Sequence, residues 1–93
     1  MNENPFEIAI KELEAGTEDI RPSDVVSFSE PLRSALNYVI RLGRFSLTEF
    51  QEKLEFTREE TKKIADILVA RNLFAVSRFS NAEETFYESR LTA

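Results

Sequence analysis

The sequence predicts an α+β fold that is mostly helical, with a three-helix core, a C-terminal β-hairpin and one extra helix at the N-terminus. Three observations predict this class. Apolar residues recur at helical spacing in four segments, two of these segments start with a capping box, and two β-prone runs near the C-terminus flank a polar turn. The 93 residues divide into an N-terminal arm, residues 1–28, and a main domain, residues 29–93.

The N-terminal helix is predicted over residues 5–15. Asn4 fits an N-cap, Pro5 fits the first helical position, and Gly16 fits the C-terminal end. Three larger apolar residues recur on one side of this helix: Phe6, Ile10 and Leu13. A helix of this length is marginal in water unless it packs on something. Its apolar side is therefore interpreted either as a dimer interface or as a surface packed on its own domain, with residues 17–28 as a linker.

The main domain is predicted to begin with a helix over residues 29–42 that ends at Gly43. Its apolar positions repeat at helical spacing: Leu32, Ala35, Leu36, Val39 and Ile40. Arg44 and Phe45 then form a brief extended segment. This helix is expected to supply one wall of the core.

Each of the next two helices starts with a capping box, in which a serine or threonine is followed three residues later by glutamate. The boxes are Ser46-Leu47-Thr48-Glu49 and Thr57-Arg58-Glu59-Glu60. They predict a short helix over 46–54 and a longer one from Thr57 to about Arg71, where Asn72 is suited to a left-handed cap. The longer helix carries a fully polar arc at 100° per residue: Arg58, Glu59, Lys62, Lys63 and Asp66.

The hairpin is predicted from two strands, residues 73–79 and 85–91, joined by the polar turn 80–84. Arginines lie on both strands, at Arg78 and Arg90. Four aromatic residues belong to this region: Phe74, Phe79, Phe86 and Tyr87. Core and cross-strand packing is the favoured interpretation of these rings, and stacking on single-stranded bases is the alternative.

The order of helix, helix, turn, helix and hairpin over residues 31–93 resembles the winged helix-turn-helix superfamily, which includes MarR-like and other winged-helix DNA-binding domains. Three stretches carry the resemblance: residues 46–54, residues 57–68 and residues 68–74. The last stretch is similar to the family's exit into the wing, with Asn72 in place of the usual glycine. The resemblance is more specific for fold than for function, because one fold hosts many roles.

The resemblance implies that the helix starting at Thr57 meets base edges in the major groove of double-stranded DNA. It therefore assigns DNA contact to seven residues: Arg58, Glu59, Lys62, Lys63, Asp66, Arg78 and Arg90. It also implies a small transcriptional regulator that acts as a homodimer. Helices outside the helix-turn-helix supply the dimer interface in several such families, so Phe6, Ile10 and Leu13 are assigned to dimerisation.

The distribution of charge keeps a second function open. Residues 1–30 hold two basic and eight acidic residues, a net charge of −6, whereas residues 31–93 hold ten basic and nine acidic residues, a net charge of +1. The polar arc also nets only +1, which is weak attraction for a polyanion. Glu83 and Glu84 make the tip of the predicted wing acidic. The alternative function is therefore a winged-helix module for protein–protein contact, acting as an adaptor or assembly subunit without DNA.

Several function classes are disfavoured by missing residue types. The chain has no histidine and no cysteine, so the commonest general base, the commonest metal ligands and any disulfide are missing. No nucleophile elbow, phosphate-binding loop or glycine fingerprint occurs. We therefore expect no enzymatic activity, no metal and no cofactor. The apolar runs are too short for a membrane span, and the acidic N-terminus is unlike a secretion signal, so a soluble cytoplasmic protein is expected.

Overall fold

The computed structural model describes residues 4–16 and 18–90, and within them the chain forms a small α+β domain of five helices and one three-stranded antiparallel sheet. Helices account for about half of the chain. The elements follow in this order: α1 (Pro5–Glu14), α2 (Pro22–Val25), α3 (Leu32–Leu42), β1 (Arg44–Ser46), α4 (Leu47–Leu54), α5 (Arg58–Ala70), β2 (Phe74–Val76) and β3 (Phe86–Ser89). No helix in the described residues has the length and apolar character needed to cross a membrane.

Both predicted capping boxes are present. The Ser46 hydroxyl accepts from the Glu49 N–H at 3.1 Å, and the Glu49 carboxylate accepts from the Ser46 N–H at 3.0 Å. Thr57 and Glu60 form the same reciprocal pair, with both distances 3.1 Å. These bonds satisfy N–H groups that the first helical turn leaves unpaired. The starts of α4 and α5 are therefore fixed by local sequence.

The ends of the helices follow the expected backbone chemistry, with one addition. Gly43 and Asn72 both have positive φ, 79° and 60°, as predicted for the ends of α3 and α5. Glu55 also has a positive φ of 61° and lies directly after α4. Glutamate rarely adopts a left-handed backbone, so its residue type does not predict this positive φ. Glu55 adopts it because the connection between α4 and α5 is short.

Two predictions for the region before and at the start of α3 differ from the structure. The helix expected from residue 29 begins at Leu32, because the residue before Pro31 is disfavoured from helical backbone. The predicted linker 17–28 contains the short helix α2, which has Pro22 at its first position; residue 17 lies outside the described residues. The linker is therefore partly helical, as the preference of proline for this position explains.

The hairpin strands are shorter than predicted. Strands expected over 73–79 and 85–91 are observed as Phe74–Val76 and Phe86–Ser89; Leu91 lies outside the described residues. The Ser80 hydroxyl both accepts from the Phe86 N–H at 2.9 Å and donates to the Phe86 carbonyl at 3.1 Å. Such bonds from a side chain to the backbone compete with strand pairing. They end the ladder early and leave a long connection between the two strands.

The brief extended segment predicted at Arg44 and Phe45 is a third strand. The strand order is β1-β3-β2, so β3 is central and pairs antiparallel with both neighbours. Phe45 lies opposite Tyr87 in one pair and Val76 lies opposite Tyr87 in the other. The sequence places β1 and β3 far apart, so this pairing depends on tertiary contacts and not on a local turn.

Four aromatic rings form the centre of the core: Phe45, Phe50, Phe74 and Tyr87. The closest pair, Phe45 and Phe74, has ring centroids 4.8 Å apart in an edge-on arrangement. Edge-on and tilted pairs are the favourable geometries for aromatic rings. The packing interpretation is thus confirmed for Phe74 and Tyr87. Phe86 is half-buried and Phe79 is exposed, so the packing interpretation is wrong for Phe79.

The N-terminal arm packs on its own main domain through α5. Ala9 and Leu13 are buried in the same core as the main domain, and Phe6 and Ile10 pack against that core. The Phe6 ring meets the Phe56 ring edge-on at a centroid distance of 5.9 Å. The apolar side of α1 is therefore covered within one chain. Dimerisation through Phe6, Ile10 and Leu13 stays a prediction, and it would require two chains to exchange their arms.

Arg71 joins the end of α5 to the arm. Its guanidinium donates to the Leu13 carbonyl at 3.0 Å and to the Glu18 carbonyl at 2.7 Å. A Cβ atom on Gly16 would lie 3.0 Å from this guanidinium, so the glycine leaves the space that Arg71 needs. These bonds satisfy carbonyl groups near the C-terminal end of α1.

Candidate functional site

The five polar-arc residues lie on one exposed side of α5, called here the α5 face: Arg58, Glu59, Lys62, Lys63 and Asp66. The opposite side of the helix buries Ile64, Ala65 and Leu68 in the core. This division follows from helical periodicity, since residues three and four apart share a side. The α5 face therefore has the exposure that a recognition helix requires.

Arg58 is held by a network that the sequence pattern did not reveal. Its guanidinium donates to Glu84 at 2.7 Å and to the Thr48 hydroxyl at 3.0 Å. The Thr48 hydroxyl in turn donates to the other Glu84 oxygen at 2.5 Å. We call these three residues the Glu84 network. It connects α4, the start of α5 and the turn before β3.

The Glu84 network keeps its carboxylate ionised. Partial burial by itself would raise the pKa of Glu84, but hydrogen bonds from Thr48 and Arg58, together with the charge of Arg58, outweigh burial and lower that pKa. Hydrogen bonds to the charged form of a carboxyl group favour ionisation in this way. Glu84 is thus a fixed negative charge beside the first turn of α5.

Lys62 is also paired, and Lys63 is the remaining cation of the α5 face. The Lys62 ammonium donates to Asp66 at 2.8 Å, and this hydrogen bond is the largest cause that raises the pKa of Lys62. The Lys63 ammonium lies 6.0 Å from the centre of the Phe6 ring on α1. With Glu84 included, the face carries three basic and three acidic side chains. It offers little net attraction to a phosphate backbone.

An open cleft of about 450 Å³ lies between the start of α5 and the turn at residues 81–85. Arg58 and Lys62 line it together with three carboxylates, Glu59, Glu83 and Glu84. The Asn81 side chain shapes the turn by accepting from the N–H groups of Glu83 and Glu84 at 2.8 and 2.9 Å. With two cations and three carboxylates in the lining, neither sign of charge dominates the cleft. Nothing in it corresponds to a nucleophile paired with a base.

Arg78 and Arg90 lie outside α5, each close to the end of a hairpin strand. Arg78 follows β2 in the connection, and Arg90 follows β3, where its N–H donates to the Leu73 carbonyl at 2.8 Å. The seven residues assigned to DNA contact thus comprise five on the α5 face and two arginines at opposite ends of β2, Arg78 and Arg90, which we call the arginine group.

The structure adds two residues to the arginine group that sequence reasoning missed. The exposed Phe79 ring lies 4.5 Å from the Arg44 guanidinium carbon and 5.4 Å from that of Arg78. Arginine over an aromatic ring is a favourable contact. Arg44 gave no signal of this role, since 35 residues separate it from Phe79 and only the sheet brings the two together.

No metal site accompanies either group, because the part of the chain that the structure describes holds no suitable cluster of acidic, histidine or cysteine side chains. Comparison of the chain with family models, with curated proteins and with solved structures gave no match.

Proposed function

We propose that this chain is a winged-helix module whose ligand is another protein. The winged-helix assignment is supported by the order of elements from α3 to β3 and by the sheet order β1-β3-β2, in which β1 precedes two adjacent helices and β2 and β3 follow them. In this arrangement α5 occupies the position of the recognition helix and the connection from β2 to β3 forms the wing.

The observation that carries the protein-binding proposal is the internal pairing of the cations on the α5 face. Arg58 is bound by Glu84 and Lys62 by Asp66, at 2.7 and 2.8 Å. A duplex approaching this helix would meet Glu59, Glu84 and Asp66 as well as the cations. Like charges placed across an interface disfavour the wrong partner. Exposed large apolar side chains lie away from the α5 face, among them Val26, Val76 and Phe79.

Binding to DNA stays the second candidate because the α5 face is exposed and polar along its length. Ion pairs at a protein surface are worth about 0–1 kcal/mol, so they do not by themselves prevent Lys62 and Lys63 from contacting phosphates. The negative charge of Glu84 would still remain beside the bound strand. The two functions consequently predict different affinities for a DNA duplex. They also predict different changes in that affinity when the charge of Glu84 is removed.

The first prediction concerns a titration of fluorescent mixed-sequence duplex at about 50 mM salt, where electrostatic binding is strong. We expect the parent chain to give no saturable anisotropy change at micromolar concentration. Lys62→Glu combined with Lys63→Glu should leave the curve unchanged. Glu84→Gln should free the Arg58 guanidinium and therefore increase the weak, non-saturating anisotropy change of the duplex. Glu83→Gln is the matched control and should leave that change as it is in the parent.

Saturable duplex binding by the parent that is lost in the Lys62→Glu, Lys63→Glu variant would overturn the proposal and favour DNA. Circular dichroism of each variant checks that the fold is kept, which we expect because both lysines lie on the exposed side of α5.

A further inference from the structure

The outer face of the sheet, which points away from the aromatic core, carries an arginine on β1. Tyr87 of the central strand is buried in the core, whereas its neighbour Glu88 pairs with Arg44 on one side and with Ala75 on the other. Successive side chains of a strand point to opposite faces, and paired residues share a face. Arg44, Glu88 and Ala75 therefore lie together on the outer face.

The connection that follows β2 places an exposed aromatic ring beside Arg44. Phe79 is 51% exposed, and its ring centre lies 4.5 Å from the Arg44 guanidinium carbon and 5.4 Å from that of Arg78. Both contacts are favourable interactions of a cation with an aromatic ring. One exposed ring thus has two guanidinium groups beside it, and we call Phe79, Arg44 and Arg78 the Phe79 site.

The backbone that carries the Phe79 ring is held in place by Ser77. The Ser77 hydroxyl accepts from the Phe79 N–H at 3.1 Å, and the Ser77 carbonyl accepts from the Ser80 N–H at 3.1 Å. Ser77 itself is buried, and its N–H donates to the Phe86 carbonyl at 2.7 Å. The ring is therefore presented on a turn that is ordered before a partner binds, which reduces the entropy lost on binding.

Both guanidinium groups of the Phe79 site keep N–H donors available. Among the described residues, the Arg78 guanidinium forms no hydrogen bond or ion pair. The Arg44 guanidinium faces Glu88 at 3.8 Å, which is longer than a hydrogen bond. Because both side chains of this pair are about half exposed, the pair is weak. Two arginines beside a single carboxylate leave a surface that is complementary to further carboxylates.

We propose that the Phe79 site binds an acidic segment of a partner protein in which an apolar side chain lies between carboxylates. The inference deepens the proposed protein-binding function and depends on it. The guanidinium groups of Arg44 and Arg78 bind the carboxylates, and the apolar side chain covers the Phe79 ring. Arginine and aromatic side chains are often the residues that dominate the binding energy of protein interfaces.

A nucleic acid fits the charge of this surface less well than an acidic protein segment does. Affinity for a phosphate backbone grows with the number of phosphates that cations neutralise, and the Phe79 site supplies two arginines, one of which faces Glu88. The whole chain has a net charge of −5, which disfavours the approach of a polyanion. Two carboxylates of a protein segment pair with both arginines and need no further cations.

The experiment uses a capped peptide in which one leucine lies between two pairs of glutamates, titrated into the ¹⁵N-labelled full chain. We expect the Nε–H signals of Arg44 and Arg78 and the amide signals of residues 77–80 to shift, and the amide signals of Lys62 and Lys63 to stay in place. A peptide with lysine in place of glutamate should bind at least about tenfold more weakly, because its charges oppose the arginines. A peptide with serine in place of leucine should bind at least about fivefold more weakly, because serine does not cover the ring.

Variants of the chain connect this binding to the side chains of the Phe79 site. Arg44→Gln with Arg78→Gln should weaken binding of the glutamate peptide at least about tenfold. Arg33→Gln with Lys53→Gln removes the same charge from α3 and α4 and should leave the affinity unchanged. Phe79→Ser should abolish the preference for leucine over serine in the peptide. All five side chains are exposed, so we expect the fold to be kept, and the amide spectrum of each variant checks this.

Three outcomes would contradict the proposal. Equal affinity for the glutamate and lysine peptides, or unchanged binding by the Arg44→Gln, Arg78→Gln variant, would overturn an acidic ligand. No shift at millimolar glutamate peptide would overturn the Phe79 site as a binding site. A single-stranded oligothymidine that shifts the same signals and displaces the peptide would overturn the protein ligand in favour of a nucleic acid.

A mixed-sequence duplex added to the same labelled chain separates failure of this inference from failure of the proposed function. Shifts at Lys62 and Lys63 with duplex would reject the protein-binding function. A silent duplex together with a silent glutamate peptide would leave that function standing and reject only the Phe79 site.

Discussion

Tyr87 combines complete burial with an unpaired polar group. Its ring packs against both Phe45 and Phe74 in the aromatic core, and its hydroxyl has no hydrogen-bond partner among the described residues. Burial raises the pKa of this phenol above its ordinary value, and the nearby Lys62 charge only partly opposes the shift. An unsatisfied buried hydroxyl costs roughly 1–3 kcal/mol. The ring therefore stabilises the core while the hydroxyl reduces that stabilisation.

Tyr87→Phe should consequently increase the free energy of unfolding by about 1 kcal/mol in urea at neutral pH, because the ring is kept and the unpaired hydroxyl is removed. The pH dependence has a definite sign. A phenol whose folded pKa is raised contributes stability that is present below the unfolded value of about 10 and is lost at higher pH. The variant should therefore lose less stability than the parent between pH 9 and 11. A variant less stable by more than about 1 kcal/mol would mean that the hydroxyl has a partner.

At the scale of elements, Glu84 connects the turn before β3 to α4 and α5 through Thr48 and Arg58. Its lowered pKa gives a second testable pH dependence. A carboxyl group whose folded pKa is lowered contributes stability above its unfolded value, which is lost as the pH falls through the folded value. Because the Arg58 side chain is about half exposed, solvent screening limits this contribution to at most about 1 kcal/mol.

We expect Glu84→Gln to be less stable than the parent at pH 7, and the difference to shrink as the pH falls through the lowered pKa of the parent carboxyl. Urea denaturation at several pH values measures this difference. Glu83→Gln is the matched control, since the Glu83 side chain is exposed and forms no ion pair in the described structure. A stability difference that stays constant from pH 7 to pH 3 would show that the charge of Glu84 is not what stabilises this connection.

The same elements show what sequence could and could not supply. Both capping boxes and the left-handed Asn72 were predictable because each depends on residues within one turn of chain. The exposed α5 face followed from helical periodicity. The Arg58–Glu84 pair joins residues 26 positions apart, and the contact of Arg71 with Leu13 spans 58. Neither leaves a periodic signal, so the neutralisation of the α5 face and the anchoring of the arm required the fold.

At the scale of the whole molecule, the acidic arm and the nearly neutral main domain form one core. Leu13 is fully buried, Arg71 donates to carbonyls at the end of α1 and beyond it, and Asn72 donates to Asp19 at 2.9 Å. The Ile20 N–H also donates to the Arg71 carbonyl at 3.1 Å. The arm therefore contributes to the stability of the domain that it precedes. A dimer formed through α1 would have to reproduce these contacts between two chains.

Leu13→Ala tests whether the arm packs on its own chain in solution or is exchanged between two chains. Removing a buried leucine side chain should lower the free energy of unfolding by about 2–5 kcal/mol, and Arg71→Ala should destabilise by less because its guanidinium is only partly buried. If the arm packs on its own chain, the melting temperatures of the parent and both variants should not depend on protein concentration. An exchanged dimer would instead melt at higher temperature when concentrated, since association stabilises by mass action. Light scattering that shows a dimer in the parent and a monomer in Leu13→Ala would favour arm exchange, and it would restore Phe6, Ile10 and Leu13 as an interface between two copies.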